Sequence, residues 1–144
     1  MSFDLKIVNR DLVIVKSQLK TVVDSEKLIQ DILKLCLTPV GSNPSQAWYG
    51  SFLHRVMVGS TLDPEVTIQI SKTQLEAALK LLQSLQDAQV KTMQRVSADE
   101  QLGALLDIII TQNAGDLTLY DITIKALTRG TKPITTAFKI DTIT

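Results

Sequence analysis

The segment Leu28–Leu53, LIQDILKLCLTPVGSNPSQAWYGSFL, constrains this chain most, because a helical apolar pattern stops there against a turn-rich stretch. Lys27, Gln30, Asp31 and Lys34 recur at the i, i+3, i+4, i+7 spacing and predict one solvated helix face. Leu28, Ile29, Ile32, Leu33, Leu35 and Cys36 cover the opposite side as a broad stripe for burial. Pro39 lacks an N–H and biases Thr38 away from helical geometry, so the helix ends sharply. Gly41, Pro44, Trp48, Tyr49 and Gly50 follow before helical spacing resumes with Phe52, Leu53, Val56 and Met57, and Gly59 closes that short piece.

Upstream, Phe3, Leu5 and Ile7 alternate with Asp4 and Lys6, Asn9-Arg10-Asp11 supplies turn residues, and Leu12 to Val15 is a second β-prone run. A terminal β-hairpin is the expectation, with Lys16 to Val23 as a connection and Asp24 or Ser25 as the cap of the first helix. Downstream, Asp63-Pro64-Glu65 is a strong helix start, and neither Pro nor Gly interrupts Glu65 to Gln101. Leu75, Ala78, Leu79, Leu82 and Leu85 share a face of this long helix, which is expected to run to near Arg95 and to pack across the domain's own sheet.

After that the period changes to two. Leu106, Ile108 and Ile110 alternate with Asp107, Ile109 and Thr111, and Tyr120, Ile122, Ile124 and Ala126 share a face opposite Asp121, Thr123 and Lys125. Ile134, Thr136, Phe138 and Ile140 line one side of a last strand. Turns fall at Asn113–Asp116 and Arg129–Pro133. The expected fold is α+β: an N-terminal β-hairpin, two to three helices including one long one, and a C-terminal antiparallel β-meander, in one domain over residues 1–144. No internal repeat stands out.

Composition narrows function by exclusion. Fifteen basic residues balance fifteen acidic ones, without a basic block, which disfavours nucleic-acid binding. No apolar run reaches the roughly 20 residues of a membrane span. The N-terminus carries no secretory apolar region, so synthesis in the cytoplasm is expected. One cysteine, Cys36, leaves no internal disulfide and reads as a small core residue. The single histidine, His54, adjoins Arg55 in a short apolar helix and reads as structural; one His and one Cys do not make a zinc site. No phosphate-binding glycine motif is present, and no cofactor is expected. Glu26, Asp31, Glu65, Glu76, Asp87, Asp99 and Glu100 fall mostly on polar helix faces or at helix ends. With three Phe, two Tyr and one Trp, aromatics are thin for a polysaccharide cleft.

The pattern of apolar helix, then Thr38-Pro39-Val40-Gly41-Ser42, Pro44, and Tyr49-Gly50-Ser51-x-Leu53, resembles the small baseplate wedge family of contractile phage tails, which includes the related baseplate subunit of type VI secretion systems. Asp11-Leu12-Val13-Ile14-Val15 also fits that family's short strand ahead of the first helix, and the resemblance runs from about Asp11 to Ile140. It implies a non-enzymatic virion protein, six copies per baseplate, held by other wedge subunits and offering a template to the tail sheath protein. The implied mechanism is β-augmentation, a neighbour's extended arm adding a strand to an exposed edge. Thr38, Pro39, Gly41, Trp48, Tyr49, Gly50 and Arg95 are the expected wedge contacts. Ile134, Thr136, Phe138 and Ile140, in the β-prone, charge-poor run Pro133–Thr144, are the expected sheath-side edge strand. Where many members carry Glu-Pro-Arg before a strand, Met93-Gln94-Arg95-Val96 keeps only the arginine. Proteins of this family have also carried a lysozyme label, so a tail-associated, lysozyme-like peptidoglycan hydrolase is one alternative, and a type VI secretion baseplate subunit is another. Trp48-Tyr49 is open to two readings, loop anchor or partner contact.

Overall fold

The computed structural model describes residues 3–9, 11–59, 62–92 and 95–143. At the N-terminus the expected hairpin is present, pairing β2 (Ile7–Val8) with β3 (Asp11–Leu12), but it is one of two, and a third strand pair closes the unit. β4 (Ile14–Val15) pairs with β5 (Gln18–Leu19), so the connection expected over Lys16 to Val23 is itself largely strand. β6 (Thr21–Val22) returns to pair with β1 (Asp4–Leu5). At the centre the backbone closes a ring: the Lys6 N–H donates to the Lys20 carbonyl (2.8 Å), Val13 to Lys6 (3.0 Å) and Lys20 to Val13 (2.8 Å).

Lys6, Val13 and Lys20 are seven residues apart, which corrects the expectation of no internal repeat. Asp4-Leu5-Lys6-Ile7-Val8, Asp11-Leu12-Val13-Ile14-Val15 and Gln18-Leu19-Lys20-Thr21-Val22 are three copies of one unit, with Leu and Val at fixed places. Each unit spans only two-residue strands, too short for alternation to declare itself. Lys16 (φ 50°) and Ser17 (φ 63°) are both left-handed, the backbone of a type I′ hairpin turn, without the usual Asn-Gly to signal it.

Helix α1 (Asp24–Leu37) buries Leu28, Ile32, Leu35 and Cys36 as expected, and also Gln30. The face read as solvated is covered by the N-terminal unit. Gln30 Nε2 donates to the Leu5 carbonyl and to Asp4 Oδ2, both 2.8 Å, while its Oε1 accepts from the Ile7 N–H at 2.9 Å. Lys34 pairs with Asp4 and, at 3.2 Å, with Asp31, which also takes Lys27 at 2.8 Å. No side-chain cap closes the start of α1: the Asp24 carboxylate accepts the Ser97 hydroxyl at 2.8 Å instead.

After α2 (Leu53–Met57), α3 (Pro64–Lys91) runs 28 residues, about 42 Å at 1.5 Å per residue, and stops short of Arg95. Its start is as expected, Asp63 accepting from the Glu65 N–H at 3.4 Å with Pro64 in the first turn. Its buried stripe is Thr67, Ser71, Leu75, Ala78, Leu79, Leu82 and Gln86. Gln86 repeats the device of Gln30: Nε2 donates to the Glu100 carbonyl (3.0 Å) and Oε1 accepts from the Leu102 N–H (2.8 Å).

Strands β7 (Leu102–Gln112), β8 (Leu119–Thr128) and β9 (Pro133–Asp141) form an antiparallel sheet in that order. α3 lies against β7 and α1 and α2 against β9, all on one face, giving the α+β two-layer core expected. Ile108, Ile110, Tyr120, Ile122, Ile124, Ala126, Ile134 and Ile140 point into it. Leu106 does not; it is 57% exposed, because the register of β7 shifts between Leu105 and Asp107 and turns that side chain outward.

Candidate functional site

The two halves of the turn motif are bonded to each other. The Ser51 N–H donates to the Thr38 carbonyl (2.8 Å), Val40 N–H to the Ser51 carbonyl (3.2 Å), and Pro39 and Ser51 form a parallel bridge. The buried Ser51 hydroxyl donates to the Cys36 carbonyl at the end of α1 (2.6 Å). Inside this neck, Gly41 donates to the Ala47 carbonyl (2.9 Å), and the Asn43 side chain holds the Ser45 N–H (3.0 Å). Residues 38–51 are therefore a closed surface loop with adjoining ends, a compact type in which function is frequently found. Gly41 and Gly50 adopt φ of +87° and +125°, left-handed conformations that favour glycine.

The aromatic pair divides between its two readings. Tyr49 is half-buried against the core, and burial pushes its hydroxyl pKa up. Trp48 is 53% exposed and meets Tyr49 edge-on, ring centroids 6.2 Å apart. Together with Leu85, Ala88 and Gln89 of α3 they border an open groove of about 380 Å³. Thr38, Pro39, Gly41, Trp48, Tyr49 and Gly50 thus belong to one loop. Arg95 is exposed in the segment after α3, with no hydrogen bond or ion pair to that loop among the described residues. Met93 and Gln94, its companions in the tripeptide comparison, lie outside the described residues, as does Thr144.

The sheet edge is the second element. Ile134, Thr136 and Ile140 are buried and Phe138 is half-buried, so these side chains fill the protein's own core. Bonds from Thr128 N–H to Lys132 O and from Thr142 N–H to Thr118 O, each 2.9 Å, fix the phase of the ladder at both ends. Bonded pairs alternate, so the even residues of β9 bond to β8 and the main chains of Thr135, Ala137, Lys139 and Asp141 face outward. Among the described residues no strand pairs with that edge. β9 is regular over nine residues, whereas β7, the opposite edge, carries two register shifts. Bulges blunt an edge against further pairing, which marks the first half of β7, up to Asp107, as the poorer acceptor of an added strand.

Cys36 lies in the core, where burial pushes its thiol pKa up to about 12, far from a nucleophilic thiolate. His54 is exposed and borders an open cavity of about 520 Å³ with Cys36, Lys139 and Asp141. Glycoside hydrolysis asks for two carboxyl groups about a common cleft, one with a raised pKa. That cavity offers Asp141, and the three beside Lys6, Leu79 and Ile68 offer Glu26, Glu76 and Glu65, a single carboxylate each. Asp4 and Asp116 are both held below the ordinary carboxylate pKa. Burial would raise Asp4, but hydrogen bonds from Lys34 and Gln30 outweigh it; the side chain and backbone of Thr118 lower Asp116.

No protein-family model matches the sequence, and no curated protein matches it. Among solved structures, the chain superposes on a Geobacter sulfurreducens protein provisionally named a tail lysozyme, with a TM-score of 0.62 at 13% identity. The overlap takes in 81% of this chain and 88% of the other, a likeness of fold.

Proposed function

We propose that this chain is a structural subunit of a contractile-tail baseplate, held among wedge proteins and presenting β9 as the edge on which a sheath arm adds a strand. The observation that carries this reading is the β9 edge, regular and without a pairing strand among the described residues, with four alternate main-chain positions facing outward. A regular edge left without a partner strand is an aggregation hazard unless assembly covers it. A partner strand there would gain main-chain hydrogen bonds without disturbing Ile134, Thr136, Phe138 or Ile140. The closed loop, with Trp48 exposed on it, is assigned to the wedge side, since Trp anchors interfaces more often than most residues. The tail-derived name of the structural neighbour and the resemblance in residues 28–53 support the setting. That same name favours a second reading, a tail peptidoglycan hydrolase, against which the scattered carboxylates weigh.

Cross-linking mass spectrometry on intact tails separates the two readings. Links from Lys132 or Lys139 to sheath and from Lys27 or Lys34 to wedge proteins are expected. Peptidoglycan clearing by the purified chain, lost when one pair of carboxylates is removed, would overturn the structural role.

A further inference from the structure

We infer that the N-terminal unit carries a docking notch for a glutamine presented on an acidic partner helix, formed by the Leu19 carbonyl and the Thr21 N–H. The inference stands on the pseudo-threefold repeat and is independent of the tail reading.

In each of the three strand pairs the ring bond sets the phase of the ladder. Val13 to Lys6, Lys20 to Val13 and Lys6 to Lys20 are bonded, so the neighbouring pairs Ile7/Leu12, Ile14/Leu19 and Thr21/Leu5 are the non-bonded type. Their N–H and C=O groups face away from the ring. Between successive strand pairs this leaves an outward carbonyl and an outward N–H two residues apart: Leu5/Ile7, Leu12/Ile14 and Leu19/Thr21.

The first of these notches is filled. The Gln30 side-chain amide takes the Leu5 carbonyl and the Ile7 N–H as a neighbouring strand would. Gln86 fills a notch of the same shape at Glu100/Leu102, so the chain uses a helix-borne glutamine twice for this purpose. At Leu19/Thr21 no side chain of the described residues arrives, and Leu19, Lys20 and Thr21 are exposed.

The filled notch also says what kind of helix fits. Lys6, between its two backbone groups, lines one cavity with Glu26, which stands four residues before Gln30 on α1. Lys20 occupies the place of Lys6 at the open notch, beside the exposed Leu19 and Ile14. The matching occupant is an amphipathic helix with Glu-x-x-x-Gln: at the filled notch Ile29 and Leu33 of α1 line a cavity with Ile7, and at the open notch the exposed Leu19 and Ile14 offer the apolar surface. Val13 replaces the lysine at Leu12/Ile14, which makes that notch the poorer match.

Helix α1 itself supplies the probe. A fluorescent peptide of residues 24–37, bridged by a lactam between Lys27 and Asp31 to hold it helical, is titrated into the full chain. The expected result is saturable binding with the Thr21 amide resonance shifted, weakened at least about tenfold when the peptide's Gln30 is replaced by Leu. Thr21→Pro in the chain removes only an outward N–H and is expected to weaken binding similarly while leaving Tm unchanged. No binding, equal binding by the Gln30→Leu peptide, or shifts confined to β9, the mark of strand addition, would each overturn the assignment.

Discussion

The Thr38 carbonyl oxygen occupies the place of a side chain on residue 50: a β-carbon there would lie 2.3 Å from it and 3.0 Å from the Val40 nitrogen. Gly50 also has φ +125°, so any substitution is strained as well as crowded. Gly50→Ala is therefore expected to open the neck of the loop and cost about 3 kcal/mol, seen as a fall of about 10 °C in Tm. Gly41→Ala meets nothing within 4 Å and carries only the left-handed penalty, about 1 kcal/mol. Equal losses from the two variants would contradict the closed-neck geometry.

Gln30 fastens the N-terminal unit to α1 through three hydrogen bonds. Gln30→Leu keeps the volume and removes all of them, with an expected cost of about 2 kcal/mol. Amide exchange should accelerate at Lys6, Val13 and Lys20 and stay unchanged in α3. Uniform acceleration across the chain would mean that the unit and the core open together.

Ser71 is fully buried on α3, and its hydroxyl is without a hydrogen-bond partner among the described residues. Removing an unsatisfied buried hydroxyl costs nothing and relieves its desolvation, so Ser71→Ala should raise stability by about 1 kcal/mol in urea denaturation. A loss of stability would show that the hydroxyl is bonded in solution.

Asp4 ties acid stability to the same junction. Its pKa in the folded protein lies below the ordinary 3.8, because the Lys34 and Gln30 hydrogen bonds overcome the opposing effect of burial. A lowered carboxyl pKa contributes stability above the unfolded value, which is lost as pH falls through the folded one. The stability gap between wild type and Asp4→Asn should thus be full at neutral pH and shrink below about pH 4. A gap independent of pH would remove the ion pair from the account.

Where the residues spoke for themselves, long periodic segments did so best. The α1 stripe, the Asp63-Pro64-Glu65 start and the alternation of Tyr120 to Ala126 could all be read from the chain, since each follows one local period. Leu106 misled because a bulge shifts the phase mid-strand, a non-local consequence of pairing with β8. Gln30 has the spacing of a solvated face for a similar reason: its burial depends on a unit folding back from residues 4–22. The seven-residue repeat leaves little periodic signal because its strands are two residues long. Thr38, Gly41, Gly50 and Ser51 were legible as a motif, whereas their mutual bonding required the neck of the loop to be seen. That the side chains of Ile134, Thr136, Phe138 and Ile140 serve the core, leaving only backbone for a partner, follows from the ladder phase.

The most direct test of the β9 assignment is Ala137→Pro. The Ala137 N–H faces away from β8, so proline removes a donor needed by an added strand and none used within the sheet. Tails assembled with this variant are compared with wild type for sheath attachment, alongside the Tm of the purified chain. The account predicts an unchanged Tm, a baseplate that still contains the subunit, and loss of sheath. Normal sheathed tails carrying Ala137→Pro would contradict it.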